Sequence, residues 1–421
     1  MDHIEINGGS RLQGEICISG AKNAALAIVP ASITAGDICV IENLPQIQDI
    51  SSLVEALTSI GAVCTFKDRN TLVVDSRHIN KTVADSESVK KIRASYYLLG
   101  ALLGRFKTAE VALPGGCNLG TRPIDQHLKG FRALGATVNI EYGMIKAYAQ
   151  KLVGTNIYLD VVSVGATINI MLAAIFAEGT TIIENAAREP HVVDTANFLN
   201  ILGAKIKGAG TDVIRINGVQ KLHGCEYMII PDQIETGTFM IASAITGGDV
   251  VVRNVIPRHV DSLSAKLQEM NCTVVEGDDY VRVVGSDSLR SVNIKTMAYP
   301  GFPTDLQPQM TSLLCKASGH SIITETVWEN RFQYINELKR LGANVTVEGR
   351  VAFIEGNQGF TGASVSATDL RAGAALVMAG LAAKGKTSIG NVKYIDRGYE
   401  GIEKKLSLLG ANIQRIRKEE N

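Results

Sequence analysis

The feature that most restricts the fold of this chain is a short motif that occurs six times. In each copy a glycine or an asparagine stands between apolar residues with helical spacing and a stretch typical of a strand. Both residue types tolerate the left-handed backbone conformation that ends a helix, so each copy predicts a helix-to-strand turn. The copies are Ile60-Gly61-Ala62-Val63, Leu134-Gly135-Ala136-Thr137-Val138, Leu202-Gly203-Ala204-Lys205-Ile206, Met270-Asn271-Cys272-Thr273-Val274, Leu341-Gly342-Ala343-Asn344-Val345 and Leu409-Gly410-Ala411-Asn412-Ile413.

The spacing of these copies indicates a duplication. The turn residues of the first and fourth copies are 271 − 61 = 210 positions apart, and successive copies are between 203 − 135 = 68 and 135 − 61 = 74 positions apart. A second repeat has the same offset, since Ile4-Glu5-Ile6-Asn7-Gly8 recurs as Ile214-Arg215-Ile216-Asn217-Gly218. We therefore predict two homologous halves of three units each. The first domain is placed at residues 22–229, and the second at residues 1–21 with 230–421.

The composition of each unit favours compact domains over an extended repeat array. Each unit has an apolar helix, a turn, strands and a more polar helix, and the period is too long for a simple solenoid, so we predict α/β domains. With 421 residues the chain also exceeds what one hydrophobic core usually serves. The most apolar helices, such as the one predicted at 372–383, should be buried with sheets around them. A ligand would then bind between the halves.

Charge and cysteine content exclude several functions. Lys plus Arg and Asp plus Glu both number 42, a balance that gives no support to binding of nucleic acid or of an acidic membrane. The seven cysteines form no Cys-x-x-Cys pair and are odd in number, which argues against a disulfide framework or a zinc site and for a reducing compartment. The N-terminus lacks the pattern of a signal peptide, and no apolar run is long enough to span a bilayer. We expect a cytoplasmic protein.

The segment 113–123, Leu-Pro-Gly-Gly-Cys-Asn-Leu-Gly-Thr-Arg-Pro, carries the strongest chemical signal. It lies between a strand predicted at 109–113 and a helix predicted at 124–134. Glycines let the backbone approach a ligand closely, and a loop at the start of a helix can present N–H groups to an anion. Arg122 and the helix dipole would favour a thiolate at Cys117. The alternative is that Cys117 is a small buried residue, as many free cysteines are.

The segment Gly380-Leu381-Ala382-Ala383-Lys384-Gly385-Lys386-Thr387 has the spelling of a Walker A phosphate loop. Such a loop must leave a strand and open a helix, whereas here a helical pattern at 370–383 precedes a strand pattern at 387–392. We therefore expect a turn and no ATP site. The matching turn glycines of other units are Gly36, Gly179, Gly248 and Gly319.

Several polar residues stand near the predicted starts of helices in both halves. Each alone is more simply explained as a solvated or helix-capping group. Together they occupy the positions from which an anion site draws its donors. They are Lys22, Asn23, Arg93, Asp305, Asp369, Arg371 and Arg397.

In combination, the motifs resemble the UDP-N-acetylglucosamine enolpyruvyl transferases over essentially the whole chain. The resemblance implies two inside-out α/β barrel domains of three repeated units each, with the active site in the cleft. It implies transfer of the enolpyruvyl group of phosphoenolpyruvate to the 3-hydroxyl of UDP-N-acetylglucosamine with loss of phosphate. This reaction is the first committed step of peptidoglycan synthesis and serves cell shape and division. The motifs are Gly20-Ala21-Lys22-Asn23, Pro114-Gly115-Gly116-Cys117 with Arg122-Pro123, Ser163-Val164-Gly165-Ala166-Thr167, Glu184-Asn185-Ala186-Ala187-Arg188-Glu189-Pro190, Phe302-Pro303-Thr304-Asp305, Glu329-Asn330-Arg331-Phe332, Ala367-Thr368-Asp369-Leu370-Arg371 and Ile395-Asp396-Arg397-Gly398-Tyr399.

The same resemblance implies a role for each site residue, with no metal or organic cofactor. Cys117 would donate the proton to the methylene carbon, form an adduct with phosphoenolpyruvate, and be the target of the covalent inhibitor fosfomycin. Asp305 would handle the proton of the sugar hydroxyl. Lys22, Arg122 and Arg397 would surround the phosphate and carboxylate of phosphoenolpyruvate, and Asn23 would hold the reacting centre. The remaining substrate contacts would be Arg93, Pro123, Ile124, Asp125, Gln126, Ser163, Val164, Gly165, Val327, Arg331, Asp369 and Arg371.

Two positions depart from some relatives, and two alternatives stay open. Val161 stands where certain members carry a diphosphate-binding lysine and Tyr97 where some have tryptophan, so diphosphate binding would depend more on Arg93 and Arg122. The enolpyruvylshikimate-phosphate synthases share the fold and the phosphoenolpyruvate chemistry but lack the cysteine-bearing loop. The other alternative is a catalytically silent regulator that binds sugar nucleotides, against which the set of proposed reactive residues argues.

Overall fold

The computed structural model of the protein describes residues 2–91, 93–113, 124–357 and 359–417. Cys117, Arg122 and Pro123 lie outside these residues, and so does the side chain of Arg93. The α-helices are α1 Lys22–Ala31, α2 Gln48–Ser59, α3 Glu87–Lys91, α4 Tyr96–Phe106, α5 Asp125–Ala133, α6 Val164–Ala174, α7 Pro190–Ile201, α8 Gln233–Thr246, α9 Asp261–Glu269, α10 Gln307–Lys316, α11 Ile335–Arg340, α12 Leu370–Ala382 and α13 Ile402–Leu408.

The strands are short, with two to five residues each. They are β1 His3–Asn7, β2 Gln13–Cys17, β3 Ile38–Glu42, β4 Val63–Phe66, β5 Leu72–Asp75, β6 Val83–Ala84, β7 Thr108–Ala112, β8 Thr137–Glu141, β9 Met144–Tyr148, β10 Asn156–Tyr158, β11 Thr180–Glu184, β12 Lys205–Lys207, β13 Val213–Asn217, β14 Glu226–Met228, β15 Asp249–Arg253, β16 Thr273–Glu276, β17 Tyr280–Val284, β18 Ile294–Lys295, β19 His320–Thr324, β20 Asn344–Glu348, β21 Val351–Glu355, β22 Phe360–Thr361, β23 Ser364–Ser366, β24 Ala383–Lys384, β25 Lys386–Gly390 and β26 Asn412–Ile416.

The described residues divide into two compact units, each with its own hydrophobic core. Among them, unit 1 contains residues 2–19 and 231–417, and unit 2 contains residues 20–113 and 124–230. The chain passes from unit 1 to unit 2 between residues 19 and 20, and returns to unit 1 between residues 230 and 231. Both positions lie one or two residues from the boundaries that the sequence predicts. Each unit is described by itself below.

Unit 2 combines three four-stranded sheets with the apolar helices α1, α4 and α6. The sheet orders are β14-β3-β5-β4, β6-β7-β9-β8 and β10-β11-β13-β12. In each sheet the first pair of strands is parallel and the other pairs are antiparallel. The helices have little polar face, and α6 buries every residue from Ala166 to Ala174. The expected burial of the most apolar helices is therefore confirmed in this unit.

Unit 1 repeats this plan with the helices α8, α10 and α12. Its four-stranded sheets have the orders β16-β17-β15-β2, β18-β19-β21-β20 and β23-β25-β1-β26, and β22 pairs with β24. Each four-stranded sheet has one parallel pair, which is β2 with β15, β18 with β19 and β23 with β25, and β22 and β24 are also parallel. The chain's first strand, β1, lies between β25 and β26, so the N-terminal residues are an integral part of this unit.

The repeated turns have the backbone that the sequence predicts. Around the Cys117 segment, the predicted strand and helix are β7 and α5, each within two residues of the expected bounds. All six turn residues have positive φ: Gly61 101°, Gly135 94°, Gly203 105°, Asn271 70°, Gly342 97° and Gly410 92°.

Two further turns test the interpretation of the phosphate-loop spelling. Gly385, with φ of 86°, follows α12 and precedes β25, so the chain runs from helix to strand and the Walker A interpretation is excluded. In the fourth unit the predicted Gly248 lies in the turn between α8 and β15, and the left-handed residue of that turn is its neighbour Gly247 (φ 62°). Gly247 closes α8, and Gly248 is needed for close packing, because a Cβ on Gly248 would meet the carbonyl oxygen of Leu12 at 2.4 Å.

Candidate active site

Lys22 is the first residue of α1 and is buried, with 7% of its surface exposed. A cation at a helix N-terminus opposes the helix dipole, and the structure compensates it with a carboxylate. Its Nζ lies 2.8 Å from Oδ2 of Asp49, which is in the first turn of α2 and 4% exposed. The neighbouring Asn23 is half-buried. Lys22 is thus held in one position by an ion pair that the sequence did not predict.

Gln126 ties the start of α5 to the segment before α6. Its side chain is 5% exposed, and its amide nitrogen donates to Asp125 Oδ2 at 2.9 Å and to Asp160 Oδ2 at 3.1 Å. Its amide oxygen accepts the backbone N–H of Asp160 at 3.0 Å. Asp125 is exposed and Ile124 precedes the helix as its N-cap. Gln126 therefore supports the local structure, and Asp125 is the accessible group of this segment.

His127 was not predicted, although it contacts a segment that was. Its Nδ1 lies 2.9 Å from Nδ2 of Asn169, and burial lowers the pKa of the imidazole to about 4. The ring is therefore neutral near pH 7, and the amide donor of Asn169 places the ring proton on Nε2. A Cβ on Gly165 would lie 3.0 Å from that Nε2. The glycine at this position thus lets the start of α6 pack on the buried ring.

The residues Ser163, Val164 and Gly165 form the start of α6. Ser163 is the N-cap, and its Oγ accepts the backbone N–H of Ala166 at 3.3 Å. All three residues are half-buried. A capped helix start with partly accessible residues can present its remaining N–H groups to an anion.

In unit 1, Asp305 is held by two buried guanidinium groups. It lies in a short 3-10 turn at 304–306, directly before α10. Arg371 donates to Asp305 Oδ2 from Nε at 3.2 Å and from Nη2 at 3.0 Å, and Arg331 donates to Oδ1 at 3.3 Å. The side chains of Arg331 and Arg371 are 1% and 4% exposed, whereas that of Asp305 is 30% exposed. The carboxylate is therefore the accessible member of a cluster whose cations are fixed.

The cluster has its own supports within unit 1. Arg331 also donates to the carbonyl oxygen of Thr304 at 3.0 Å, and the Arg371 guanidinium lies 5.5 Å from the centre of the Tyr399 ring. Asp369 is the N-cap of α12, and its carboxylate accepts the backbone N–H of Arg371 at 2.8 Å. Asp369 thereby sets the position from which Arg371 reaches Asp305.

Glu325 is a further residue that the sequence did not single out. It is 1% exposed, and its carboxylate accepts hydrogen bonds from Thr304 Oγ1 at 2.9 Å and from the backbone N–H of Val327 at 2.8 Å. It therefore links the turn that carries Asp305 to the segment of Val327, which is 43% exposed. The only sequence signal for Glu325 is that of a single acidic residue directly after a strand, and this signal is weak.

Arg397 is the last residue of a 3-10 segment, Val392–Arg397, and is half-buried. The sequence prediction of an arginine shortly before the last helix is correct, since α13 begins at Ile402. The next residue back, Asp396, pairs with Arg415 at 3.0 Å. This pair anchors the end of the segment to β26.

Val161 and Tyr97, the two positions that differ from some relatives, are 58% exposed and half-buried respectively.

Across the described residues no helix combines the length and apolar character needed to cross a membrane.

Comparison with known proteins identifies the family of this chain. The family model of EPSP synthase (3-phosphoshikimate 1-carboxyvinyltransferase) matches residues 6–406. UDP-N-acetylglucosamine 1-carboxyvinyltransferase 2 of Clostridium acetobutylicum is 59% identical over 99% of both chains, and the enzyme of the same name from Bacillus subtilis is 56% identical over 99% of this chain and 97% of its own.

Among solved structures, the enolpyruvyl transferase NikO from Streptomyces tendae aligns with a TM-score of 0.89 at 29% identity, covering 99% of both chains. EPSP synthase from Acinetobacter baumannii aligns with a TM-score of 0.75 at 20% identity over 99% of this chain and 100% of that one, which concerns the fold alone. The enolpyruvyl-transferase fold expected from the sequence is thus confirmed. With a family model that matches most of its length and relatives more than half identical from end to end, the chain belongs to the EPSP synthase family and, within it, to the UDP-N-acetylglucosamine 1-carboxyvinyltransferases.

Proposed function

We propose that the protein transfers the enolpyruvyl group of phosphoenolpyruvate to the 3-hydroxyl of UDP-N-acetylglucosamine and releases phosphate, the first committed step of peptidoglycan synthesis. The names of its full-length relatives support this reaction. The structural observation that carries the proposal is the accessible Asp305 carboxylate held by Arg331 and Arg371. Such a fixed carboxylate suits a base that must meet one hydroxyl in one orientation.

The reaction needs a base and an acid on different substrate atoms. As the sugar hydroxyl attacks, Asp305 accepts its proton, and the two guanidinium groups hold the carboxylate in place while it does so. Cys117, by family resemblance, donates a proton to the methylene carbon of phosphoenolpyruvate, which makes the adjacent carbon electrophilic. The same thiol forms the adduct with phosphoenolpyruvate. Elimination of phosphate then completes the transfer.

The anionic groups of phosphoenolpyruvate need fixed cations. Lys22, Arg122 and Arg397 take this role in the proposal, with Asn23 at the reacting centre. Support comes from the ion pair of Lys22 with Asp49, which fixes the ammonium within unit 2. The planar guanidinium groups of the two arginines match oxyanions through paired hydrogen bonds.

The remaining site residues are proposed to bind the sugar nucleotide. In unit 2 the helix start at Ser163, Val164 and Gly165 and the exposed Asp125 support this assignment. In unit 1 the exposed Val327 does so, whereas the burial of Arg331 and Arg371 favours a positioning role through Asp305. The other proposed contacts are Arg93, Arg122, Pro123, Ile124, Gln126 and Asp369.

Phosphate release tests the proposal directly. The protein is incubated with phosphoenolpyruvate and UDP-N-acetylglucosamine, with phosphoenolpyruvate and shikimate 3-phosphate, and with phosphoenolpyruvate alone. We expect release with the sugar nucleotide only. Release with shikimate 3-phosphate would support the synthase alternative, and none in a folded sample would support the silent regulator.

A variant pair tests the role of Asp305. Asp305→Asn should lower kcat roughly a hundredfold or more, because general-base catalysis contributes on that order. The control is Asp249→Asn in the same unit, which removes an exposed ion pair with Arg282 and should leave kcat unchanged. Equal kcat values for the two variants would show that Asp305 does not take part in the reaction.

The biological setting follows from the same proposal. An enzyme of peptidoglycan precursor synthesis is expected in the cytoplasm, where its nucleotide-linked substrate is made, and its loss should disturb cell shape and division. Fosfomycin is proposed as a covalent inhibitor at Cys117. Neither nucleic acid nor a membrane is needed for the reaction, and no metal or organic cofactor takes part in the proposed steps.

A further inference from the structure

Two cysteines of unit 2 lie opposite each other on neighbouring parallel strands. In the ladder between β3 and β14, Glu226 is opposite Val40, and the backbone N–H of Val40 donates to the carbonyl oxygen of Cys225 at 2.8 Å. This register places Cys225 opposite Cys39. Tyr227 and Cys225 are two positions apart, as are Ile41 and Cys39, so each pair shares one face of the sheet. Both thiols therefore lie on the inner face, where Cys39 belongs to the core and Cys225 packs against it.

The distance between such positions suits a disulfide. Neighbouring strands are about 4.7 to 4.9 Å apart, and the Cα atoms of disulfide-bonded cysteines are about 4.4 to 6.8 Å apart. The other cysteines in described strands have different neighbours, since Cys17 is opposite Arg253 and Cys64 is opposite Val74. The matching position of the other half pairs Gly14 with Val250, so the arrangement is not a requirement of the fold.

The two thiols are chemically unequal. Cys39 is fully buried, and its contact with Cys225, together with burial, raises the pKa of its thiol. The same contact lowers the pKa of Cys225, which is half-buried. Cys225 is therefore the thiol that ionises first and that a small solute reaches first.

We propose that Cys39 and Cys225 form a redox site, which a peroxide converts into an intramolecular disulfide between β3 and the start of β14. The Cys225 thiolate attacks one peroxide oxygen, the O–O bond breaks, and the departing hydroxide takes up a proton to give water. The sulfur of Cys39 then attacks the resulting sulfenic acid, the S–O bond breaks, and the hydroxyl leaves as water with the Cys39 proton. The peroxide gains two electrons and the thiols lose two.

The bond would join distant parts of unit 2. It closes a loop of 225 − 39 = 186 positions, and β14 is the last strand before the chain passes into unit 1 at residue 231. In a reducing compartment the site rests as two thiols, and oxidation is transient and reversible. The modification is independent of the proposed transferase reaction, since neither thiol is among the residues assigned to it.

Peptide mass spectrometry of the full-length protein tests the proposal. The sample is exposed to hydrogen peroxide, free thiols are alkylated, and tryptic peptides are analysed without reduction. We expect a linked peptide containing Cys39 and Cys225, which disappears after dithiothreitol. The linked form should unfold at a temperature roughly 4 to 16 °C higher, since closing a long loop stabilises a protein and a domain of this size gains about 2 to 4 °C per kcal/mol.

Three variants make the result specific. Cys225→Ser and Cys39→Val should abolish the linked peptide and the shift in unfolding temperature. Cys64→Ser removes a thiol from β4 of the same sheet and should retain both. If Cys39→Val does not fold, Cys225→Ser at the half-buried position decides alone. The proposal would be overturned if Cys225 is oxidised to sulfinic acid while Cys39 remains a free thiol that is alkylated, or if the disulfide links two molecules. It would also be overturned if Cys39 and Cys225 stay reduced while Cys117 is oxidised.

Discussion

The buried ion pair between Lys22 and Asp49 permits a quantitative test of how unit 2 holds its proposed phosphate-binding lysine. In Asp49→Ala the ammonium of Lys22, which is 7% exposed, loses a carboxylate at 2.8 Å. Removing one partner of a buried pair costs about 3 to 5 kcal/mol, whereas an exposed pair contributes about 0 to 1 kcal/mol. We expect the free energy of unfolding to fall by about 3 kcal/mol or more in Asp49→Ala. The control Glu178→Ala should cost less than about 1 kcal/mol, because Glu178 and Lys151 are 66% and 65% exposed.

The assay uses the position of the single tryptophan. Trp328 lies in unit 1, so its fluorescence reports that unit, while far-UV circular dichroism reports both units. In guanidinium chloride, the Asp49→Ala transition seen by dichroism should shift downward by about 0.5 to 1 M, and the fluorescence midpoint should stay in place.

A double variant separates the lost ion pair from other effects of the substitution. Lys22→Met with Asp49→Leu removes both charges, so it should be more stable than Asp49→Ala alone. The reasoning fails if Asp49→Ala costs no more than Glu178→Ala, or if the separate costs of Lys22→Met and Asp49→Leu add in the double variant.

Three further predictions address catalysis, pH and inhibition. Arg397→Lys keeps the charge but loses the planar guanidinium, so turnover in the phosphate-release assay should fall at least about tenfold, which corresponds to roughly 1.4 kcal/mol of lost transition-state stabilisation. Unchanged kinetics would show that Arg397 is not part of the site. Burial raises the pKa of Asp194 to about 6, against the hydrogen bond from Tyr227. The folded state therefore binds this proton more tightly, and stability that is complete below about pH 4 should be lost as the pH rises through 6, by about 3 kcal/mol. Unfolding curves of Asp194→Asn from pH 4 to pH 7 should lack that decline. Fosfomycin should alkylate Cys117 alone. The variant Cys117→Asp should escape alkylation while keeping measurable turnover, because aspartate donates a proton but offers no thiolate. Peptide mass spectrometry that finds the adduct on Cys225 or Cys315 would contradict this prediction.

The parts of the fold that could be predicted are those determined by local sequence. A helix that ends in a left-handed residue needs glycine or asparagine there, so Gly135 and Asn271 indicate turns without knowledge of the rest of the chain. The apolar helices were equally clear because they lack a polar face. At the adjacent Gly247 and Gly248 the sequence does not show which glycine is left-handed, because that depends on where α8 ends.

The candidate site was predicted less completely, because its supports are distant in the sequence. Asp305 and Arg371 were identified by resemblance, but their contact joins positions 66 residues apart and depends on the packing of α10 and α12. Asp49 is an acid in the first turn of a helix, and nothing in its spacing points to Lys22. His127 could not be predicted for the same reason, since its burial against Asn169 depends on how α5 packs on α6.

The position of β1 between β25 and β26 has a consequence for how the chain is made. Ile6 is opposite Thr387 on one side and Ile413 on the other, and the second separation is 413 − 6 = 407 residues. At about 5 to 20 residues per second, the ribosome delivers these partners on the order of 20 to 80 s after β1 has emerged. Unit 2 is complete in sequence well before that moment, whereas β1 must wait for β26 before its sheet can form. The nascent protein therefore carries the apolar face of β1, formed by Ile4 and Ile6, without its native partners while the intervening residues are made.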